Sequence, residues 1–307
     1  MKIFTSTKNE SLAQKISSEL GLEIGKLTIE KFKDGEIMPT FKESIRDEDI
    51  FLLSQCSTSD DIMATLLSID ASKRCGAKSI NLILPYYPYS RADKVDHIRS
   101  SIGAKMIADV LQSVGVNRII TIELHNSAIQ AFFNVPVIHL DAAKIFVDYI
   151  KSLRLENLTI VSPDQGGVGR AIKFAKFFTE SQFAMINKRR VKPNEIFSMD
   201  LVGNVQGRNV VVYDDLGDTL GTVKKSAEIL MNAGALSVRA IVTHPVLSGN
   251  AMDNLNSSVL TELIVSDTIN TDGKISDKLK IISCASFMAN ALNRLETKKS
   301  ISELNSI

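Results

Sequence analysis

Short, nearly continuous apolar runs recur along the chain: DIFLLSQ (49–55), SINLILPYY (79–87), RIITIEL (118–124), LTIVSPD (158–164), NVVVYDD (209–215), VRAIVTH (238–244) and ELIVSDT (262–268). Runs of this length without strict alternation are expected of parallel strands covered on both faces. Between them lie stretches with helical spacing of apolar residues, such as IMATLLSIDASKRCGA (62–77), GAKMIADVLQSVGV (103–116) and VKKSAEILMNAGA (223–235). Each ends at a glycine-containing segment, a normal helix stop. Strand–helix alternation of this kind predicts an α/β fold with mostly parallel sheets flanked by helices.

A length of 307 residues is too much for one ordinary core and suits two domains of about 150 residues each. ASKRCGAKSINLILPYY and LMNAGALSVRAIVTH share a helix, Gly-Ala, strand pattern, a weak internal echo that fits two similar domains. The expected division is 1–145 and 146–307, with the C-terminal helix free to pack back on the first domain. A formal net charge of +1 gives no global argument for nucleic acid or an acidic membrane surface. Cys56, Cys75 and Cys284 are scattered, which reads as reduced thiols in a cytoplasmic protein. MKIFTSTKNE enters a strand-like run with no signal-peptide core, and no apolar run approaches the ~18 residues of a membrane helix.

In open α/β sheets ligands bind beyond the carboxyl ends of the strands. Polar clusters stand at such ends here: PYYPYSRAD, ELHNSAIQ, SPDQGGVGR and YDDLGDTLGT. In the last, Thr219, Gly221 and Thr222 supply backbone N–H and hydroxyl donors for a phosphate at a helix start. Asp214 and Asp215 precede them and would repel that phosphate. They can instead accept from sugar hydroxyls or bind a metal. A sugar phosphate satisfies both halves of the motif; a solvated turn capping a helix is the plain alternative. SPDQGGVGR (162–170) offers Asp164 as a metal ligand and Gly166–Gly167 for close backbone approach, or is simply a tight turn. NKRRVKPN (187–194) is a cationic run, either a solvated face or charge to neutralise phosphoryl oxygens. His125 follows a strand end where a metal could sit. Phe32, with Asp34 and Glu36 on a turn, is either core or a stacking surface for a base. Arg91, Asp93 and Lys94 form a polar loop or a phosphate contact.

FKDGE (32–36), LHNSAIQAFFNVPV (124–137), SPDQGGVGRA (162–171), NKRR (187–190), YDDLGDTLGT (213–222), THPVLSGNAMDNL (243–255) and the tail SIS (300–302) appear in an order that resembles the ribose-phosphate pyrophosphokinases of the phosphate-regulated bacterial type, nearly end to end. DDLGDTLGT alone would indicate only the wider phosphoribosyltransferase fold. The resemblance implies two phosphoribosyltransferase-type domains. It implies transfer of the diphosphoryl group of ATP to the 1-hydroxyl of ribose 5-phosphate, with Mg²⁺ as cofactor. By the same resemblance, Asp218, Thr219, Gly221 and Thr222 hold the 5-phosphate, and Asp214 and Asp215 the ribose hydroxyls. Asp164, Gly166 and Gly167 form the diphosphate loop, and His125 with Asp164 meets the metal. Lys188 and Arg190 act on the transferring group, and Arg91 and Asp93 contact ATP. Phe32, Asp34 and Glu36 receive the nucleotide from a neighbouring subunit. A homo-oligomer follows, in this family usually a hexamer built from dimers. Arg46, Ser300 and Ser302 match a regulatory site for inorganic phosphate and ADP.

Several positions depart from the family pattern. Arg91-Ala92-Asp93-Lys94 stands where Arg-Gln-Asp-Arg is usual. The loop KVDHIRSSIGAK (94–105) is one residue short and carries Asp96. Asn187 replaces an Asp, and Leu220 a Gly. A base phosphoribosyltransferase is disfavoured by FKDGE, NKRR and the two-domain length. A non-catalytic or regulatory homologue stays open through Ala92 and the short loop, and is opposed by Lys188, Arg190, Asp164, His125, Asp214 and Asp215.

Overall fold

The computed structural model of the chain describes residues 1–95, 97–189 and 198–305. They form two compact units: Met1–Asp141 with Thr268–Asn270 and residues 283–305, and Ala142–Asp267 with Thr271–Ile282.

The first unit begins with β1 (Lys2–Thr5), α1 (Glu10–Leu20), β2 (Leu27–Lys31), β3 (Ile37–Phe41) and β4 (Asp49–Leu53). It continues through α2 (Ser59–Arg74), β5 (Ser79–Leu84), α3 (Gly103–Val114), β6 (Arg118–Ile122) and β7 (Val137–Leu140). A five-stranded parallel sheet has the order β1-β4-β5-β6-β7, and β2 and β3 form a separate antiparallel pair. The start of α2 is locally encoded. Thr58 accepts from the Asp61 N–H at 3.2 Å while the Asp61 carboxylate accepts from the Thr58 N–H at 2.9 Å, a capping box that opens α2. β5 stops before Pro85, which has no N–H to give the ladder. Ile50, Leu52, Ile80, Leu82, Leu84, Ile107 and Leu111 fill one side of the sheet.

The second unit comprises α4 (Ala143–Ser152), β8 (Leu158–Ser162), α5 (Val168–Ala175), β9 (Gln182–Arg189), β10 (Ser198–Val202) and β11 (Asn209–Gly217). Then follow α6 (Gly221–Asn232), β12 (Ser237–Pro245), α7 (Ala251–Asn256), β13 (Glu262–Ser266) and β14 (Leu279–Ile282). Its seven-stranded sheet runs β10-β9-β8-β11-β12-β13-β14 and is parallel except for the β9–β10 pair. The chain then returns to the first unit as α8 (Ala285–Glu296) and α9 (Ser302–Asn305). There α8 packs on α1, and Ser286 donates to Glu19 at 2.6 Å. The Asn305 side chain bridges the Asp141 N–H and the His139 carbonyl at 3.0 and 2.9 Å.

The apolar runs listed by the sequence pattern are strands β4, β5, β6, β8, β11, β12 and β13. One boundary differs in a way that matters. β11 does not end at Asp215 but continues to Gly217, because it keeps pairing with β12 (Leu216 with His244, Gly217 with Pro245) after its pairing with β8 has ended at Val212. The acid pair therefore lies within a strand that is paired on one side only.

Candidate functional site

In the second unit, the carboxyl ends of β8 and β11 carry a connected group of side chains. Ser162, the last residue of β8, donates to the Asp164 carbonyl at 2.7 Å, and Asp164 Oδ1 accepts from the Gly167 N–H at 3.0 Å. A Cβ on Gly167 would lie 2.9 Å from Ser162 Oγ and 3.5 Å from Arg170 Nη1. The close approach of the Ser162 hydroxyl favours glycine there, whereas 3.5 Å to Arg170 is an ordinary contact. Arg170, on the first turn of α5, reaches β11: its Nη1 is 2.9 Å from Asp215 Oδ1 and 3.5 Å from Asp214 Oδ1. All three side chains are largely buried, at 11%, 4% and 18% exposure for Arg170, Asp215 and Asp214. Asp214 Oδ1 also accepts from the Asp215 N–H at 2.9 Å. Burial is the main reason that the Asp214 carboxyl titrates well above the usual carboxylate range. The Asp215 and Asp164 carboxylates push in the same direction, and the Arg170 guanidinium opposes them.

The loop after β11 is tied down through its acceptors. Leu247 N–H donates to the Gly217 carbonyl at 3.0 Å, Ser248 N–H to the Asp218 carbonyl at 3.1 Å, and Asn254 Nδ2 to the Thr219 carbonyl at 2.8 Å. Ser248 Oγ also donates to the Asp218 carboxylate. By contrast, no carbonyl among the described residues accepts from the N–H groups of Thr219, Leu220, Gly221 or Thr222. These are the orphan donors of the start of α6. Leu220 caps the helix with φ 60°, in the left-handed region, and its side chain is buried at 4% exposure. A non-glycine residue in this conformation costs about 1 kcal/mol, offset here by burial of an isobutyl group. The result is a ring of free amides beside a buried acid pair, which suits a ligand with an anion at one end and hydroxyls at the other.

In the first unit, Asp93 accepts from Asn126 Nδ2 at 2.7 Å, which joins the loop after β5 to the loop after β6 that carries His125. Ala92 and Arg91 stand in the former, with Arg91 exposed. Glu123, two residues before His125, is buried with φ 41°. The turn between β2 and β3 closes on itself: Phe32 N–H to Glu36 carbonyl at 2.8 Å, and Glu36 N–H to Asp34 Oδ1 at 3.1 Å. It leaves Asp34 and Glu36 exposed and Phe32 at 46% exposure. Ser300 and Ser302 place their hydroxyls 2.7 Å apart, next to Arg294, which donates to the Ser300 carbonyl and to Glu303 at 2.7 Å. Arg46 is exposed on the turn before β4.

The N-terminal domain of ribose phosphate pyrophosphokinase matches residues 1–115, and the phosphoribosyl synthetase-associated domain matches residues 172–306. The ribose-phosphate pyrophosphokinase of Bacillus caldolyticus is 41% identical over 307 residues, covering 99% of this chain and 97% of the relative. That of Oceanobacillus iheyensis is 39% identical, over 99% of this chain and 96% of the relative. The crystal structure of phosphoribosylpyrophosphate synthetase from Mycobacterium smegmatis superposes with a TM-score of 0.91 at 34% identity, over 97% of this chain and 99% of that one. The chain belongs to the ribose-phosphate pyrophosphokinase family.

Family membership fits metal-ion use, and the donors present suit a hard cation. Asp164 accepts from the Gly167 N–H in the turn it closes, and no cluster of three or more His, Cys, Asp or Glu side chains occurs among the described residues. Of the two cations singled out in NKRR, Lys188 lies on β9, and Arg190, with Pro193, lies outside the described residues, as does Asp96. Asn187 accepts from Gln165 Nε2 at 2.9 Å, so β9 is linked to the Asp164 turn. No described helix is long and apolar enough to cross a membrane, and all three cysteines are free thiols. Sequence reasoning missed Arg170. A cation at the end of a glycine-rich turn reads as helix surface, and only the need of a buried acid pair for a counter-charge points to it.

Proposed function

We propose that this chain makes phosphoribosyl diphosphate and AMP from ribose 5-phosphate and ATP, the 1-hydroxyl of the sugar attacking the β-phosphorus. The observation that carries this reading is the pairing of unclaimed amides at Thr219, Leu220, Gly221 and Thr222 with the buried carboxylates of Asp214 and Asp215. The amides and the Thr219 and Thr222 hydroxyls take the 5-phosphate, and the carboxylates accept from the 2- and 3-hydroxyls. The sugar is thereby anchored at both ends, which fixes its anomeric carbon and removes much of the entropic barrier to attack. Asp218 acts through its bond to Ser248, holding the phosphate loop in shape. The turn from Asp164 to Gly167 receives the diphosphate, with Gly166 and Gly167 allowing its oxygens close to the backbone.

Mg²⁺, held by Asp164 and His125 together with ATP oxygens, would supply charge neutralisation on the phosphoryl groups. Lys188 and Arg190 place positive charge where negative charge develops on the transferring group. Phe32 stacks on the adenine, Asp34 and Glu36 accept from the nucleotide's amine and ribose, and Arg91 and Asp93 lie at its phosphates. Because the β2–β3 turn presents Phe32 outward, we assign it to the ATP of a neighbouring subunit in a homo-oligomer, a hexamer built from dimers. Arg46, Ser300 and Ser302 form one wall of a phosphate or ADP effector site. The free thiols fit a cytoplasmic enzyme. The test is the initial rate of AMP formation with ATP, ribose 5-phosphate and Mg²⁺, each omitted in turn. AMP formation that needs all three supports the assignment; none in the complete mixture overturns it in favour of a non-catalytic homologue.

A further inference from the structure

We propose that Arg170 is the positioning residue of the acid pair, holding the Asp214 and Asp215 carboxylates together in the geometry in which they receive the sugar hydroxyls. This rests on the sugar-binding role proposed above. Consecutive side chains of a strand normally point to opposite faces of the sheet, so neighbouring aspartates on β11 should diverge. Here one guanidinium nitrogen stands 2.9 Å from Asp215 and 3.5 Å from Asp214, and the Asp214 carboxylate turns back to accept from the next amide. The pair converges at the position where β11 has lost its β8 partner and keeps only β12, so ladder pairing on that side does not hold it.

What holds it instead is α5. Phe174, one turn after Arg170 and so on the same face of the helix, is fully buried and stacks on Tyr213 with ring centroids 4.5 Å apart and planes 20° apart. The helix thus grips residues 213 to 215 of β11 in sequence, first through an aromatic contact and then through charge. Gly167, whose absent Cβ would crowd Ser162 Oγ at 2.9 Å, keeps the turn before Arg170 tight. A planar guanidinium suits this task because its donors lie in a fixed fork, whereas an ammonium is a point charge on a flexible stem. With its Nη1 turned to two carboxylates, Arg170 acts on the sugar through them.

The experiment is titration calorimetry of the full chain with ribose 5-phosphate and, separately, 2-deoxyribose 5-phosphate. Wild type is expected to prefer the ribose compound, since the acid pair reads the hydroxyls. In Arg170→Gln that preference should fall by about tenfold, the loss expected for roughly one good hydrogen bond to a charged group, while affinity for the deoxy compound changes little. Arg170→Lys should restore part of the preference. A merely structural role would weaken both ligands alike, and an unchanged preference in a folded variant overturns the proposal. If Arg170→Gln does not fold, Arg170→Lys carries the same test, with a smaller loss of preference expected and an unchanged one contradictory. Wild type that binds neither sugar phosphate overturns the sugar-binding role itself, and this inference with it; wild type that prefers ribose while both variants keep that preference overturns this inference alone.

Discussion

Two acidic segments in this molecule, one on a strand and one on a turn, use the same residue types in opposite ways. Asp214 and Asp215 are buried, bonded to Arg170, and preceded by Tyr213 stacked on Phe174. Asp34 and Glu36 sit on an exposed hairpin turn that closes on itself through the Glu36 N–H to Asp34 and the Phe32 N–H to the Glu36 carbonyl, beside a half-exposed Phe32. The first segment is organised by its own chain, and its carboxylates are desolvated at some cost to stability. The second leaves its side chains in water and gains order only when something docks on it. Mutations should therefore be felt in the fold at the strand pair and only in ligand binding at the hairpin turn.

That contrast can be broken, or made sharper, by measurement. The largest effect belongs to the second unit's β9. Lys188→Ala is expected to lower kcat by about 10²-fold or more, the usual cost of removing one charge-stabilising donor, with KM for ribose 5-phosphate little changed. Steady-state kinetics that show near wild-type kcat would remove Lys188 from the chemistry. Next, Asp215→Ala should cost about 3 kcal/mol in urea unfolding, because it takes the nearer carboxylate from a largely buried guanidinium; loss of less than 1 kcal/mol would mean that the pair is not a structural unit. Asp34→Ala should leave the urea midpoint unchanged and raise KM for ATP by about tenfold, the worth of one hydrogen bond to a charged group. A stability loss there would erase the contrast.

Smaller effects concern titration and control. Burial raises the Asp214 carboxyl above its unfolded value, so its ionised form opposes folding once the pH has passed the folded value, and its protonated form favours folding below. Asp214→Asn, which keeps the acceptor for the Asp215 amide, should raise the melting temperature at pH 8, and the gain should shrink as the solution is acidified toward the unfolded range near 3.8. A lower melting temperature at pH 8 would contradict this. Finally, beside the proposed effector wall of Arg46, Ser300 and Ser302, the 94–105 segment is one residue shorter than the family pattern and adds an acid, Asp96, which would repel a more highly charged ligand in that proposed site. Phosphate should still activate, and ADP inhibition should be mainly competitive with ATP. Strong ADP inhibition that survives saturating ATP and is relieved by phosphate would refute that expectation.

Much of the sheet was legible in the sequence because runs such as NVVVYDD and ELIVSDT have no polar alternation, a pattern that buried parallel strands impose. The β9–β10 pair was not, since QFAMINKR mixes apolar and basic residues and a strand at a sheet edge carries a weaker signal. The free amides at Thr219 to Thr222 were foreshadowed by small residues before a helix, whereas the left-handed Leu220 was not; leucine gives no hint of positive φ. Arg170 needed the structure. Nothing in SPDQGGVGR says that its last residue lies against aspartates more than forty positions away, a pairing made by the docking of α5 on β11.

The central claim is that this chain moves the β- and γ-phosphoryl groups of ATP together onto ribose 5-phosphate. Incubating the enzyme and Mg²⁺ with ribose 5-phosphate and ATP radiolabelled at the β-phosphorus tests it most directly. The account predicts that the label appears in a sugar diphosphate, with an equal amount of unlabelled AMP. Label that remains in ADP or passes to free phosphate or diphosphate, with no labelled sugar, would contradict it.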